Sequence, residues 1–535
     1  MKKFKKNEDP LATDWRSIYI SNIVAFLGSV QMSSITPTVW PYMKKIDVTT
    51  TENLYGFIRG LYAFGNVIFS MLSGYLSNKI GDTRPAMIIG KTFAIFAALS
   101  YLFVDVFNSI HVALFIGFEF LLGTSSGICS VFRTHIAMAS TEKDRPKACG
   151  ITQLATAAGF VVGPFLQVIF AQIPYPGFTL PFGTHFNLYT APVVLAAVTS
   201  FIGITLLFFY FDGKMIIREK PAPVFTEDIA LGTVDEDIFL EKNSNEKKVG
   251  KPKKLKYDPI AVVVLMIVKI ASEVVILNLI TICPPYAMTV FQWSSEDTIV
   301  FQSAIMGSIG ILSIAFALGY VFLKLGKRIE ERKALLCTLI LFLAFHLITY
   351  PWSFLPERIE YQHIKGLPAP LNRSVALDPE FQSLILQSKS NPKIEVVGCN
   401  PKFEWCETTP KVNIYIFNTA LIVALGIGLP LIQINLDVLY SKVLGPIKQG
   451  TLQGVFVATA QILNIFGPLF FSHLYTLYGP KILWKMEISL CSFAIFVFFF
   501  FYSRVIPYSL RKDIIRPLPP TCTVPKTTVA KITVT

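Results

Sequence analysis

The chain has 535 residues, 53% hydrophobic and only 16% charged, with a formal net charge of +13. Soluble domains carry about 25% charged residues, so this composition excludes an ordinary water-soluble fold. With no soluble domain to bear it, the positive charge is not read as a nucleic-acid footprint, and no nucleic-acid partner is expected.

Residues 1–17 read as a cytoplasmic tail. "MKKFKKNEDPLATDW" is basic but lacks the apolar core and small-residue cleavage site of a signal peptide. Six apolar segments follow at 18–43, 54–77, 86–108, 111–137, 148–173 and 187–211, forming an N-terminal half over 18–211. Each is near the length that a helix needs to cross a bilayer. The runs are continuous, whereas β-barrel strands alternate polar and apolar residues. Residues 212–257 are a linker of mixed charge with few large apolar residues, which predicts a largely disordered cytoplasmic segment. Its six lysines from Lys247 to Lys256 abut the seventh segment. Orientation by positive charge is the preferred reading there, and contact with anionic lipid the alternative. Six more segments lie at 258–282, 299–324, 333–352, 412–437, 451–475 and 480–505. They form a C-terminal half over 258–505, with a cytoplasmic tail at 506–535. The expected fold class is an all-α membrane protein with twelve transmembrane helices in two six-helix halves.

Basic residues gather on alternate connections: Lys79 and Arg84; Lys143, Arg145 and Lys147; and Lys324, Lys327, Arg328, Arg332 and Lys333. Intervening connections are poor in them, so the basic set is cytoplasmic and both termini lie in the cytosol. Lys44, Lys45, Lys481 and Lys485 fall on the other side and are expected to snorkel to the interface. The long connection at 353–411 is then non-cytoplasmic. It carries the sequon Asn372-Arg373-Ser374, a candidate glycosylation site, and Cys399 and Cys406. An oxidising compartment favours a disulfide between these two, with a reduced pair as the alternative.

The halves share a pattern. "GITQLATAAGFVVGP" (Gly150–Pro164) and "GVFVATAQILNIFGP" (Gly454–Pro468) start with a glycine and end in Gly-Pro at a common offset of 304. Such a parallel repeat is the design of major facilitator transporters. It makes "LYSKVLGPIKQG" (Leu439–Gly450) the second-half copy of a cytoplasmic turn. Gly159 and Gly163, four apart, offer a face for close helix approach, and Pro164 permits bending. These residues, with Gly467 and Pro468, are assigned to packing and rocking rather than to substrate. "GYLSNKIGDTR" resembles the superfamily's loop motif through Gly74, Asn78, Lys79, Gly81 and Arg84. Asn78 replaces the usual acid, keeping a hydrogen bond but losing the charge, and Asp82 is a candidate substitute.

Several stretches resemble one branch, the major facilitator superfamily domain-containing protein 8 family of lysosomal membrane proteins. These are "VWPYMKKID", "TQLATAAGFVVGP", "GCNPKFEWCETTP" and "LYSKVLGPIKQG". The resemblance implies twelve helices, an endolysosomal address, and transport of a small solute or ion, with chloride conductance as a rival activity. An acidic dileucine signal is incomplete in "NEDPLATDW", where Ala12 follows Leu11. Glu119 stands where the superfamily commonly has arginine, at a site linked to proton coupling.

An ionisable group inside a membrane helix costs about 3 kcal/mol on insertion scales, so each such group is a functional candidate. Glu119 lies about 12 Å into the fourth segment at 1.5 Å per residue, and Arg133 is too far along the same helix to pair with it. Arg133 and His135 are expected to line the cytoplasmic end, and Asp437 to be wet. Lys269 and Glu273 have ion-pair spacing and form either a gate or a mutually neutralising pair. Gln31 with Ser33, Ser34, Thr36 and Thr38, and Gln153 with Thr152 and Thr156, are cavity candidates. No nucleotide loop, metal cluster or cofactor motif is found, and no enzyme activity is expected. The leading reading is a secondary transporter of a small solute or inorganic ion, with proton coupling as an option. A chloride-permeable channel-like protein and a non-transporting receptor or scaffold are the alternatives. Membrane lipids are the other expected partners.

Overall fold

The computed structural model describes residues 12–47, 52–216, 257–293, 295–389 and 396–511. The lysines at 2–6, Glu8, Leu11, linker residues 217–256 and tail residues 512–535 lie outside these.

Twelve spans form. The first six are Trp15–Ile46, Glu52–Ile80, Arg84–Leu102, His111–Cys129 continued by Phe132–Ala139, Arg145–Phe170 and Ala191–Phe209. The second six are Pro259–Val290, Ser295–Phe322, Glu331–Ile348, Ile414–Leu444, and a stretch Gly450–Phe500 that holds two spans separated by a non-helical Gly479. Among the described residues nine helices are long and apolar enough to cross a membrane. One of them is the double stretch, and the more polar second and ninth spans complete the set. Phe96, Phe201, Phe209, Phe466, Phe496 and Phe500 are exposed on the outside of the bundle, where lipid would cover them.

Local chemistry sets the helix starts. Asp14 accepts the Ser17 N–H at 3.1 Å, Asp258 accepts that of Ile260 at 3.0 Å, and Asn413 accepts that of Tyr415 at 2.9 Å. Each satisfies an orphan donor of the first turn. Ends differ from the sequence reading where prolines occur. The seventh span runs past 282, through Pro284 and Pro285, to Val290. Pro284 and Pro285 carry no N–H for the Ile280 and Thr281 carbonyls one turn back, and the helix continues through them. The fourth span is not continuous. It breaks at Ser130–Val131, where the Ser130 hydroxyl takes the Gly127 carbonyl at 2.6 Å.

Glycines permit the closest helix contacts. The fifth span crosses the first so tightly that a Cβ on Gly159 would stand 2.5 Å from Ser29 Cβ, and one on Gly163 1.9 Å from Ser33 Oγ. Gly467, at the equivalent place in the second half, lies against Leu277 of the seventh span, 2.4 Å from a built Cβ.

One end of the bundle carries the connections with Lys79, Arg84, Lys143, Arg145, Lys147, Lys324 and Arg328–Lys333, and is called the basic end. The connection at 353–411 lies at the opposite end. In it, Cys399 and Cys406 are joined by a disulfide. Asn372 is exposed just before a short helix, Arg373–Ala376. Trp405 donates its indole N–H to the Thr476 carbonyl at 3.1 Å and covers Gly479, whose φ of +71° leaves no room for a Cβ beneath the ring. Lys481 donates to the Thr408 carbonyl at 2.6 Å, and the Lys45 ammonium lies 5.0 Å from the Tyr175 ring centre. These two lysines, which depart from the charge rule, thus meet protein groups.

At the basic end, "LYSKVLGPIKQG" ends the tenth span and starts the eleventh. Gly445 adopts φ +68° and ψ −155°, a region essentially restricted to glycine. Gln449 turns back and donates to the Ser441 and Gly445 carbonyls at 2.9 and 3.1 Å, closing the tenth span. One expectation is corrected here. Residues 213–215, assigned to a disordered linker, pair with the loop motif: Thr83 N–H donates to the Gly213 carbonyl and Met215 N–H to that of Gly81, both at 2.9 Å.

Overpacking a tight interface costs about 1–3 kcal/mol. Gly163→Val should lower the thermal midpoint of the purified protein in detergent by several degrees. Gly56→Ala, with nothing near its built Cβ, should leave it within error.

Candidate functional site

The two halves are joined by polar contacts at the basic end. Arg133, at the end of the fourth span, donates to Asp437 Oδ2 of the tenth at 2.7 Å. Asp437 is partly exposed, its side chain 24%, at the inter-half seam. Beside it, Asn78 closes the second span onto the start of the eleventh. Its Oδ1 accepts the Gly450 N–H at 2.8 Å, and its Nδ2 donates to Thr451 Oγ1 at 2.9 Å and to the Lys448 carbonyl at 3.2 Å. Gly74 lets these helices touch, since a Cβ there would lie 2.4 Å from the Gly450 oxygen. Asn78 therefore makes the cross-half contact itself. An aspartate could accept but could not donate to the Lys448 carbonyl. Asp82 does not substitute for it. Its Oδ1 accepts the Arg84 N–H at 2.8 Å, starting the third span, while the Arg84 guanidinium takes the Phe208 carbonyl. Lys79 is exposed, and Gly81 has φ +77° at the turn.

Inside the first half, Glu119 is fully buried and both its oxygens accept from Arg59 Nη1, at 3.0 and 3.2 Å. Arg59 is absent from the sequence reading, although an arginine within an apolar segment is itself a signal. The second and fourth spans bring the two groups together because glycines thin their interface: a Cβ on Gly123 would lie 2.1 Å from the Tyr62 carbonyl oxygen. In the second half, Lys269 and Glu273 pair at 2.6 Å, and the lysine sits 5.6 Å from the Phe456 ring centre.

Two cavities adjoin along the fifth span, sharing Phe132, Thr156 and Phe160. One, of about 200 Å³, lies between the halves against Arg133, Asp437, Gln153, Gln433 and Gln453. The other, of about 240 Å³, lies within the first half, and Gln31, Ser29, Ser125 and Lys91 line it. Lys91 is buried and is also missing from the sequence reading. Gln153 is thus at the inter-half cavity. Gln31 borders the other cavity but is also a staple, its amide donating to Thr199 Oγ1 at 2.6 Å and to Ser200 Oγ at 3.1 Å on the sixth span. The other polar groups of the first span mostly bond inward. The Ser34, Thr36 and Thr38 hydroxyls donate to carbonyls of their own helix, and Ser33 to those of Ser29 and Gly159. His135 is buried at the basic end, with its Nε2 2.7 Å from Ser17 Oγ and its Nδ1 3.3 Å from Thr83 Oγ1. Among the described residues no cluster of potential metal ligands occurs.

A bundle of two similar halves, latched at one end with cavities along the seam, can be compared with known families. Residues 22–359 match the model of the Major Facilitator Superfamily. The chain belongs to that superfamily. It is 25% identical over 512 residues to major facilitator superfamily domain-containing protein 8 of Xenopus laevis, covering 95% of each chain. It is also 25% identical over 207 residues to the class D tetracycline resistance protein of Salmonella ordonez, covering 38% of this chain and 47% of that one. Among solved structures, the human organic anion transporter MFSD10 superposes with a TM-score of 0.54 at 16% identity, over 90% of this chain and 98% of that one. The proton:xylose symporter XylE gives 0.58 at 12% identity, over 92% and 96%. At these identities the structural likeness concerns the fold alone.

Removing one partner from a buried ion pair costs about 3–5 kcal/mol, because the other charge is left uncompensated. Glu119→Leu should therefore lower thermal stability strongly, and Arg59→Met should restore part of the loss in the double variant. Equal, additive losses from the two substitutions would contradict a direct pair.

Proposed function

We propose that this protein is a secondary carrier that moves a small solute across an endolysosomal membrane by alternating access, with the basic end and both termini in the cytosol. The observation that carries this reading is the placement of the cross-half bonds. Among the described residues, the hydrogen bonds and ion pairs joining the halves lie at the basic end: Arg133 with Asp437, Asn78 with the eleventh span, and Ser509 with Glu142. Such a state is closed toward the cytosol. Breaking these contacts while forming others at the far end would open the seam to the cytosol. The exposed sequon and the disulfide suit a luminal face for 353–411, and the endolysosomal address is what the resemblance of "GCNPKFEWCETTP" and "LYSKVLGPIKQG" to the domain-containing protein 8 family implies.

In this reading Arg59–Glu119 is the coupling unit. Protonating Glu119 removes the negative charge that holds Arg59 and weakens a charge-assisted contact to an ordinary one. The freed guanidinium then shifts the packing of the second span against the fourth, and the second span carries Asn78 at its other end. Gln153 at the inter-half cavity and the Lys269–Glu273 pair are the further candidates for solute contact and gating.

The test is flux and charge movement in proteoliposomes under separate proton and chloride gradients, beside Glu119→Gln. Glutamine retains an acceptor for Arg59, so the variant should stay folded. Transport driven by the proton gradient in the wild type should lose its pH dependence in the variant. A large chloride current that survives the substitution would instead favour the channel-like reading. Tight binding of a luminal partner without flux would favour a receptor.

A further inference from the structure

Lys91 is a buried amine with no carboxylate beside it. It sits on the third span, 4% exposed, and among the described residues its ammonium has neither an ion pair nor a hydrogen bond. The side chain runs between the sixth and first spans. Its Cδ and Cε pass 3.7 Å from where a Cβ of Gly203 would stand on the sixth span, and its Nζ ends 3.5 Å from that of Gly28 on the first. The amine thereby reaches the cavity of about 240 Å³, whose wall contains no carboxylate and whose weaker acids are the Cys129 thiol and the Tyr62 phenol. The wall's other polar groups are the neutral Ser29, Gln31, Ser125, Ser126 and Thr156, of which Ser29 and Thr156 donate to carbonyls of their own helices and Gln31 to the sixth span, and its apolar remainder includes Met32, Leu122 and Phe160.

Burying an unpaired ammonium in a low-dielectric interior is costly, so such a group is either discharged or paired. Among the described residues no carboxylate pairs it, and the ionisable group that acts on it is the thiol of Cys129 on the same cavity wall. A ligand bearing one negative charge would pair with the lysine and lay an apolar body against the rest of the wall. One water occupies about 30 Å³, so the cavity holds more than a single monatomic ion. It also adjoins the cavity between the halves at Phe132, Thr156 and Phe160, which places a bound molecule beside the seam that alternating access would open.

We infer that Lys91 is the anchor of a binding site for a compact organic monoanion, a carboxylate being the simplest form, within the first half of the bundle. The inference deepens the carrier reading by naming a substrate class, and rests on it for transport but not for binding.

The experiment measures ligand-induced thermal stabilisation of the purified full-length protein, which reads binding whether or not flux occurs. The probes are sodium butyrate, neutral butyramide of similar shape, and sodium chloride at equal sodium concentration. Butyrate should raise the midpoint saturably, and butyramide should not. In Lys91→Met the half-saturating concentration should rise by about tenfold or more, the loss expected for one charged hydrogen bond, while Lys91→Arg should keep most of the response. Equal shifts from butyrate and butyramide would overturn the site, as would a Lys91→Met response equal to the wild type. A chloride shift matching that of butyrate would overturn the organic ligand. If Lys91→Met does not fold, the wild-type comparison of butyrate with butyramide decides alone.

Discussion

A polar group inside a bilayer must find its partner within the protein, because hydrocarbon supplies none. Most of this structure follows from that requirement. Hydroxyls on the first span bond back to their own helix, and Gln31 ties the first span to the sixth. Glu119 takes Arg59, and Lys269 takes Glu273. Helices come close enough for such short contacts because glycines stand where they cross, at Gly123 for the acid–arginine pair and at Gly159 and Gly163 for the first and fifth spans. Lys91 departs from the rule by having no carboxylate partner among the described residues, and it opens onto a cavity.

Symmetry arranges the latch. Arg133 and Asp437 are 304 residues apart, the offset that relates Gly150 to Gly454. Equivalent positions in two halves related by an approximate two-fold meet on or near the axis, as equivalent residues do across a symmetric dimer interface. Two identical side chains there would repel or merely pack. Divergence of the repeats to opposite charges turns the axis into an ion pair. Its partners are partly exposed, and exposed pairs are worth about 1 kcal/mol or less. A weak latch suits a contact that must break in every cycle. Asn78 adds to it without a full charge, bonding backbone groups at the start of the eleventh span.

Much of the fold was legible from apolar length and from the glycine spacing, because both express constraints within a single helix. The twelve spans, the two halves and the close-packing faces belong to that class. The partners of the charged groups were less legible, since they depend on which helices become neighbours. Arg59 and Lys91 are visible in the sequence as charges in apolar segments, but nothing local states that one meets Glu119 and the other meets a cavity. The repeat offset does place Asp437 opposite Arg133, once it is applied to charges as well as to glycines. Residues 213–215 escaped the composition argument because they are held to Gly81 and Thr83 by backbone bonds, which polar residues form as readily as apolar ones.

The central claim is that the Arg133–Asp437 latch holds one end of the seam shut while the other is free to open. Pulsed electron paramagnetic resonance on reconstituted protein tests it most directly, with spin labels at 79 and 324 across the basic end and at 110 and 415 across the far end. In Asp437→Asn the first distance should lengthen and the second shorten, the reciprocal change of two halves rocking about the seam. Distances that stay at their wild-type values, or that lengthen together, would contradict it.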